Sequence, residues 1–296
     1  MVNTKMRVEK KDVLAILPKR RREAHKGDYG RLLVVGGGSR YVGAPALVAL
    51  AALRSGVDLA IIAAPEKAAW TINSFSPDII TIKLPCRDLE PTALSELQNE
   101  FKLSTAVVVG PGLGTLAKTR DAVIELARAL KEAHPNLPAL FDADGLKALA
   151  SERDLLQGRH WVLTPHAREF ELLTGVDLPA DINGRVQQVK AAAKELGCTV
   201  LLKGWVDVIG SPAGDVKLNY TGNPGMTVGG TGDVLAGIVG TFLAQGVDPF
   251  KAAVAGAWAC GQAGDLCLRE KGYEFVASDL LDKLPEVFKG VRGRRR

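Results

Sequence analysis

Leu32-Leu33-Val34-Val35-Gly36-Gly37-Gly38-Ser39 is a run of four apolar residues that breaks abruptly into glycine. Such a run reads as a strand buried on both faces, with a turn at its carboxyl end. Immediately downstream, Ala44 to Arg54 are small, helix-forming residues, and Val57 to Ala63 make a second apolar run that stops before Pro65. A strand, a helix and a strand at this spacing require a right-handed crossover, and therefore a parallel sheet. Upstream, Gly27-Asp28-Tyr29-Gly30 is a turn, and Val8 to Lys19 reads as a short helix with Asp12 near its start.

The same rhythm continues toward the carboxyl end. Ile79-Ile80-Thr81-Ile82 is followed by Ala106-Val107-Val108-Val109, which ends in Gly110-Pro111-Gly112-Leu113-Gly114, and then by an amphipathic helix over Ala117 to Ala133. Pro138 to Phe141 leads into Asp142-Ala143-Asp144-Gly145, Trp161 to Leu163 into Thr164-Pro165-His166, and Val200 to Lys203 into Gly204. In open α/β sheets ligands bind outside the carboxyl ends of the strands, so these turns are expected to converge on one face. Trp205 to Tyr220, turning at Pro212-Ala213-Gly214-Asp215, reads as a β-hairpin. Helices are expected over Val234 to Ala244 and Pro249 to Arg269, the second rich in Ala and Gly. No internal repeat or linker marks a second domain, and one doubly wound unit spanning residues 1–296 is the economical reading.

Composition narrows the class. The chain has 296 residues, 47% of them hydrophobic and 24% charged, as expected of a globular protein with a large core. Its formal charge of +5 is concentrated in Lys19-Arg20-Arg21-Arg22 and in a basic tail over 290–296, with Arg292, Arg294, Arg295 and Arg296. Without interleaved aromatic residues or a nucleic-acid motif, these runs read as solvated segments and not as a specific nucleic-acid site. Cys86, Cys198, Cys260 and Cys267 form no CxxC pair and have no histidines at metal spacing, which fits a reducing cytoplasm. The first residues carry no apolar leader core, and no uncharged apolar run reaches membrane-spanning length, so a soluble cytoplasmic protein is expected. Cys260, Cys267 and the four tryptophans are expected in the core.

The chemistry is expected at Asn219-Tyr220-Thr221-Gly222-Asn223-Pro224-Gly225-Met226-Thr227-Val228-Gly229-Gly230-Thr231-Gly232-Asp233, directly before the helix over Val234 to Ala244. Amides of Gly230 to Asp233 at a helix start form an anion site, through both unpaired N–H groups and the helix dipole. Asp233 reads either as an N-cap or as a base held beside a bound phosphate. There is no GxxxxGK[ST] loop, since an aspartate stands where that motif has lysine. The Gly36 to Gly43 stretch fails as a dinucleotide fingerprint because the second strand ends in Pro65 before Glu66, without an acid at its tip. Lys203 reads as an exposed strand end or a phosphate contact. Asp142 and Asp144 read as a turn pair or as holders of a hydrated magnesium ion. His166, with Glu169 one helical turn later, reads as a cap for the helix Ala167 to Leu173 or as a substrate contact.

Taken in order, Gly-Pro-Gly-Leu-Gly, Asp-Ala-Asp-Gly, Thr-Pro-His, Lys-Gly-x-x-Asp-Val-Ile, Asn-Pro-Gly-Met and Gly-Gly-Thr-Gly-Asp resemble the ADP- or ATP-dependent NAD(P)H-hydrate dehydratase family of the ribokinase-like superfamily. The resemblance runs from about Gly27 to about Leu284. It implies a ribokinase-like three-layer α/β/α fold with a mostly parallel central sheet and a small β-hairpin. The implied reaction is nucleotide-dependent dehydration of the S epimer of NADHX or NADPHX, with ADP (or ATP) as co-substrate, Mg²⁺ as cofactor, and AMP and phosphate as products. It implies Asp233 as the base toward the substrate hydroxyl, with Ala44, Gly112, Gly114 and His166 contacting the hydrate. Lys203, Gly204, Trp205, Val206 and Asp207, with Gly230, Thr231 and Gly232, are the implied nucleotide contacts. It also implies a homo-oligomer, a tetramer by analogy, and a separate epimerase acting on the same metabolites, since the chain is expected to lack the epimerase domain often fused to this one. Ala167-Arg168 stand where many relatives carry Pro-Gly. An ATP-dependent kinase of a vitamin precursor or sugar on the same fold is the alternative reading, and a non-enzymatic nucleotide sensor or polyanion binder is a third.

Overall fold

The computed structural model describes residues 6–158 and 160–293; the arginines Arg294, Arg295 and Arg296 of the basic tail lie outside the described residues. The chain runs α1 (Lys10–Leu14), β1 (Arg31–Val35), α2 (Gly43–Ser55), β2 (Leu59–Pro65), α3 (Glu66–Asn73), β3 (Ile80–Leu84), α4 (Gln98–Leu103), β4 (Ala106–Val109) and α5 (Ala117–Ala133). It continues with β5 (Ala139–Phe141), α6 (Asp144–Leu149), β6 (Trp161–Leu163), α7 (Ala167–Thr174), α8 (Ile182–Leu196) and β7 (Thr199–Leu202). The remainder is β8 (Asp207–Gly210), β9 (Val216–Asn219), α9 (Thr231–Ala244), α10 (Pro249–Lys271) and α11 (Ala277–Arg292).

The nine strands form one sheet in the order β3-β2-β1-β4-β5-β6-β7-β8-β9. Pairings from β3 through β7 are parallel, while β8 and β9 add antiparallel strands at one edge. The expected hairpin is therefore part of the main sheet. Strand side chains alternate between two cores. Leu32, Val34, Val108 and Leu140 pack under α2, α9, α10 and α11, whereas Leu33, Val35, Val109 and Phe141 pack under α5, α7 and α8. Burial on both faces explains why these strands read as continuous apolar runs.

Three expectations need correction. The first helix is only Lys10–Leu14: Pro18 disfavours helical geometry at Leu17, so the segment turns away after Leu14. α9 begins at Thr231, three residues before the apolar periodicity starts, because Gly230 caps it at φ +99°. Asp233 is thus inside the first turn and is not the N-cap. The tryptophans also divide. Trp161 is core, Trp258 is partly buried against it, and Trp70 and Trp205 are 62% and 72% exposed. Cys260 and Cys267 are buried as expected.

Candidate functional site

The chain leaves β1 in one direction for β2 and β3, then returns to β4 on the other side of β1. That reversal opens a crevice between the carboxyl ends of β1 and β4, the usual ligand position in such sheets. The loops leaving the two strands are tied together, Gly37 N–H donating to the Pro111 carbonyl at 2.8 Å, and the β1 loop is also held to the segment after β3, where Ser39 Oγ donates to Asp88 Oδ1 at 2.9 Å. A methyl built on Gly112 would stand 3.3 Å from the Ala44 Cβ, so these two expected substrate positions line the same crevice. Gly114 N–H donates to Asp144 Oδ2 at 2.8 Å, which fixes the third glycine of the β4 loop to the β5 turn.

The anion loop is braced from behind. Asp265 of α10 accepts from Gly222 N–H at 3.2 Å and from Asn223 Nδ2 at 3.1 Å, and Asn219 accepts from the Thr221 hydroxyl at 2.8 Å. Thr231 Oγ1 donates to the Met226 carbonyl at 2.8 Å, closing the loop onto the start of α9. At Gly230 an added methyl would meet Leu47 Cδ1 at 2.8 Å and Ala277 Cβ at 2.9 Å. Only glycine combines the left-handed backbone with that close approach, which seats α9 between α2 and α11. The first amides of α9 have no carbonyl four residues back, so the helix presents donors and its positive end to the crevice.

Three charged groups meet there. Asp142, only 2% exposed, accepts on Oδ1 from Thr164 Oγ1 at 2.8 Å and from Lys203 Nζ at 2.7 Å. Lys203 is therefore not an exposed strand end; its ammonium reaches back across the sheet and lies 3.5 Å from where a methyl on Gly232 would sit. Burial works against its charge, but Asp142, Glu169 and Asp233 together raise its pKa above the usual lysine value. Among the described residues the Asp233 carboxylate has no hydrogen-bond or ion-pair partner. Burial, followed by the charge of Asp142, pushes its pKa up to about 7 against the opposing pull of Lys203. An acid at that value can hold or release a proton near neutrality, which suits a general base.

Lys203 also joins this cluster to the nucleotide segment expected from the sequence. Its N–H donates to the Pro165 carbonyl at 2.8 Å, and Gly204 N–H donates to Asp207 Oδ1 at 3.1 Å. Asp207 accepts from Asn219 Nδ2 at 3.0 Å, and burial pushes its carboxyl up to about 6 despite those bonds. Trp205 faces outward and Val206 is core, so the first offers a ring to solvent and the second holds the turn. His166 caps α7, accepting from Glu169 N–H at 3.2 Å while its own N–H donates to Glu169 Oε2 at 3.1 Å. The capping reading is present, yet the imidazole remains half exposed. Asp142 and Asp144 are each occupied by a lysine, Lys203 and Lys147, and among the described residues no group of three His, Cys, Asp or Glu forms a cation cage. Sequence reasoning missed Thr164 as the second donor to Asp142 and missed Asp265 as the brace, because neither stands near its partner in the chain.

Removing the cation alone tests how far the cluster depends on it. Lys203→Met leaves the buried Asp142 without its ion-pair partner, and we expect a loss of about 3–5 kcal/mol in a urea melt.

A family profile described as NAD(P)H-hydrate dehydratase matches residues 32–286. The chain belongs to this family. It is 46% identical over 91% of its length to a bifunctional NAD(P)H-hydrate repair enzyme of Pyrobaculum aerophilum, of which the match covers 52%. The chain thus spans about half the length of the first such relatives it matches. It is also 40% identical to an ADP-dependent (S)-NAD(P)H-hydrate dehydratase of Cenarchaeum symbiosum, with 94% of this chain and 95% of that one covered. Among solved structures it resembles the ADP/ATP-dependent NAD(P)H-hydrate dehydratase of Bacillus subtilis co-crystallised with ATP/Mg²⁺, at 29% identity and TM-score 0.78, covering 96% and 98% of the two chains. A ribokinase-like superfamily protein of Enterococcus faecalis superposes at TM-score 0.83 with 25% identity, over 98% of both chains. The dehydratase fold is therefore ribokinase-like, a mostly parallel sheet between helical layers.

Proposed function

We propose that this dehydratase-family chain converts the S epimers of NADHX and NADPHX into NADH and NADPH at the expense of a nucleoside diphosphate, releasing AMP and phosphate. The observation that carries the proposal is Asp233. It is an unpartnered carboxyl with a pKa near neutrality, set in the first turn of α9 between free amides and the Lys203 ammonium. In this reading the ring hydroxyl of the hydrate lies against Asp233, with Ala44, Gly112, Gly114 and His166 lining its crevice. The nucleotide lies along Lys203, Gly204, Trp205, Val206 and Asp207, its terminal phosphate over Gly230, Thr231 and Gly232.

Asp233 takes the hydroxyl proton as the oxygen attacks the β-phosphorus of ADP. The bond from that phosphorus to the bridging oxygen breaks, and AMP leaves. Elimination then breaks the carbon–oxygen bond of the phosphate ester, the adjacent ring carbon loses a proton, and phosphate departs from restored NADH. The sum is hydrate plus ADP giving NADH, AMP and phosphate. Helix-start amides and Lys203 stabilise the charge gathering on the transferred group. The described residues offer Mg²⁺ no cage, so in this proposal the ion arrives with the nucleotide phosphates.

The names of the full-length relatives support the substrate, and the free cysteines support a reducing cytoplasmic setting. Among the described residues no helix is long and apolar enough to cross a membrane. The proposal treats 1–296 as one dehydratase domain, working as a homo-oligomer alongside a separate epimerase. Incubation with NADHX and ADP, followed at the absorbance of reduced nicotinamide, tests it. NADH should accumulate only with nucleotide present. Because the base must be deprotonated to act, kcat/KM should rise with pH and reach half its plateau near pH 7. No NADH, alongside ATP-dependent phosphorylation of a vitamin alcohol, would point to the kinase alternative.

A further inference from the structure

Asp142 is not itself among the expected nucleotide or hydrate contacts, yet at 2% exposed it is the most buried acid in the crevice. Its Oδ1 is the meeting point of two donors from two other strand ends: Thr164 Oγ1 at 2.8 Å beyond β6 and Lys203 Nζ at 2.7 Å beyond β7. The backbone beneath it is equally constrained. Asp142 N–H donates to the Val109 carbonyl at 3.1 Å, and its own carbonyl accepts from Gly145 N–H at 3.0 Å. Lys203 has a long, flexible side chain, which in the absence of Asp142 would sample many rotamers or move to the nearest free carboxylate. Glu169 and Asp233 both act on Lys203, but Glu169 is held in the α7 cap by His166, whereas the Asp233 carboxylate has no hydrogen-bond partner among the described residues and is left to receive the ammonium.

We infer that Asp142 is a positioning residue for the reaction: it holds the Lys203 ammonium beside Gly232 and keeps it from pairing with Asp233, so that the cation and the base stay separate. The inference rests on the proposed function for the identity of the reaction, and on the hydrogen bonds for the rest. A lysine bonded to Asp233 would do two harmful things. It would fix that carboxylate as an ion-pair partner and make it a weaker base, and it would draw the ammonium away from an incoming phosphate. Asp142 prevents both by offering Lys203 a better-ordered alternative, namely a carboxylate already oriented by Thr164.

The charges facing Asp233 are those of Asp142 and Asp144 from the β5 turn and of Lys203 from the β7 turn. Lys203 is in turn faced by Glu169 on α7 and by Asp207 on β8, and Lys147 on α6 is bonded to Asp144. Replacing Asp142 by asparagine keeps an acceptor for Thr164 and removes one negative charge. Two changes at Asp233 then act in the same direction: Asp142 no longer raises its pKa, and Lys203 is released to lower it.

The test compares wild type, Asp142→Asn and the milder Thr164→Val by steady-state kinetics across pH and by calorimetric titration with ADP. In Asp142→Asn we expect ADP affinity to change by less than about threefold, because the shift of the ammonium away from the phosphate is offset by the loss of one negative charge from the pocket. Turnover at the plateau should fall at least tenfold, and the acidic limb of kcat/KM should move at least one pH unit lower. Thr164→Val should move the limb in the same direction by less. A limb that stays in place in both variants, or ADP binding lost in step with turnover, overturns the inference while leaving the proposed function standing. A wild type that yields no NADH overturns both.

Discussion

Asp233→Asn is expected to fold, to bind ADP, and to lose roughly 10²–10⁴-fold in turnover, the range that a positioned general base contributes. The variant is nearly isosteric, and the carboxylate it replaces has no hydrogen-bond or ion-pair partner among the described residues to lose. Stability makes a useful control because the sign is fixed. The folded pKa of about 7 lies above the ordinary 3.8, so between those values the unfolded chain releases a proton that the folded carboxyl keeps. Rising pH through that window therefore weakens the fold, and above pH 7 the ionised aspartate still opposes it. The asparagine variant should accordingly melt no lower than wild type at pH 8. A low melting temperature would show that lost turnover came from lost structure; wild-type turnover would remove Asp233 from the chemistry.

Gly110→Ala should cost the most stability. Gly110 stands at φ +127°, and a methyl there would lie 1.8 Å from the Asp142 carbonyl oxygen and 2.7 Å from the Gly145 amide. Both obstacles are backbone, and no side chain can rotate away to relieve them. The alanine must displace the β5 turn, which carries Asp142 and through it Lys203. We expect a loss of more than about 4 kcal/mol in a denaturant melt, with soluble yield falling accordingly. An alanine variant within about 1 kcal/mol of wild type would show that the β4 and β5 turns move apart more freely than their contact implies.

The sheet was legible because its strands are buried on both faces: Leu32 to Val35 and Ala106 to Val109 have no polar residue to obscure them. The helix over Ala117 to Ala133 was bounded correctly for a related reason, an apolar stripe with Val123, Leu126 and Leu130 on the core side. Segments governed by single backbone positions were harder. α9 starts at Thr231 because Gly230 adopts a left-handed cap, and periodicity is blind to the first turn of a helix. The first helix stops early because of one proline, and Trp205 is exposed because it occupies the tip of a turn between a core leucine and a core valine. The site divides in the same way. Asp233 and the glycines announce themselves by local pattern, whereas the bond between Asp142 and Lys203 joins residues 61 apart. Such pairing exists only once β5, β6 and β7 lie side by side.

That separation also orders the birth of the site. Glycines from the first strand, a turn from mid-chain, a lysine from the seventh strand and an acid from the ninth helix must all arrive before any one of them is useful. Contacts so distant along the chain form late, after the loops between them have been closed. A partly folded molecule can therefore have most of its helices and several strands and still offer a nucleotide nothing to hold. On the proposed function, the capacity to bind ADP would belong to the assembled sheet and to no one segment of it.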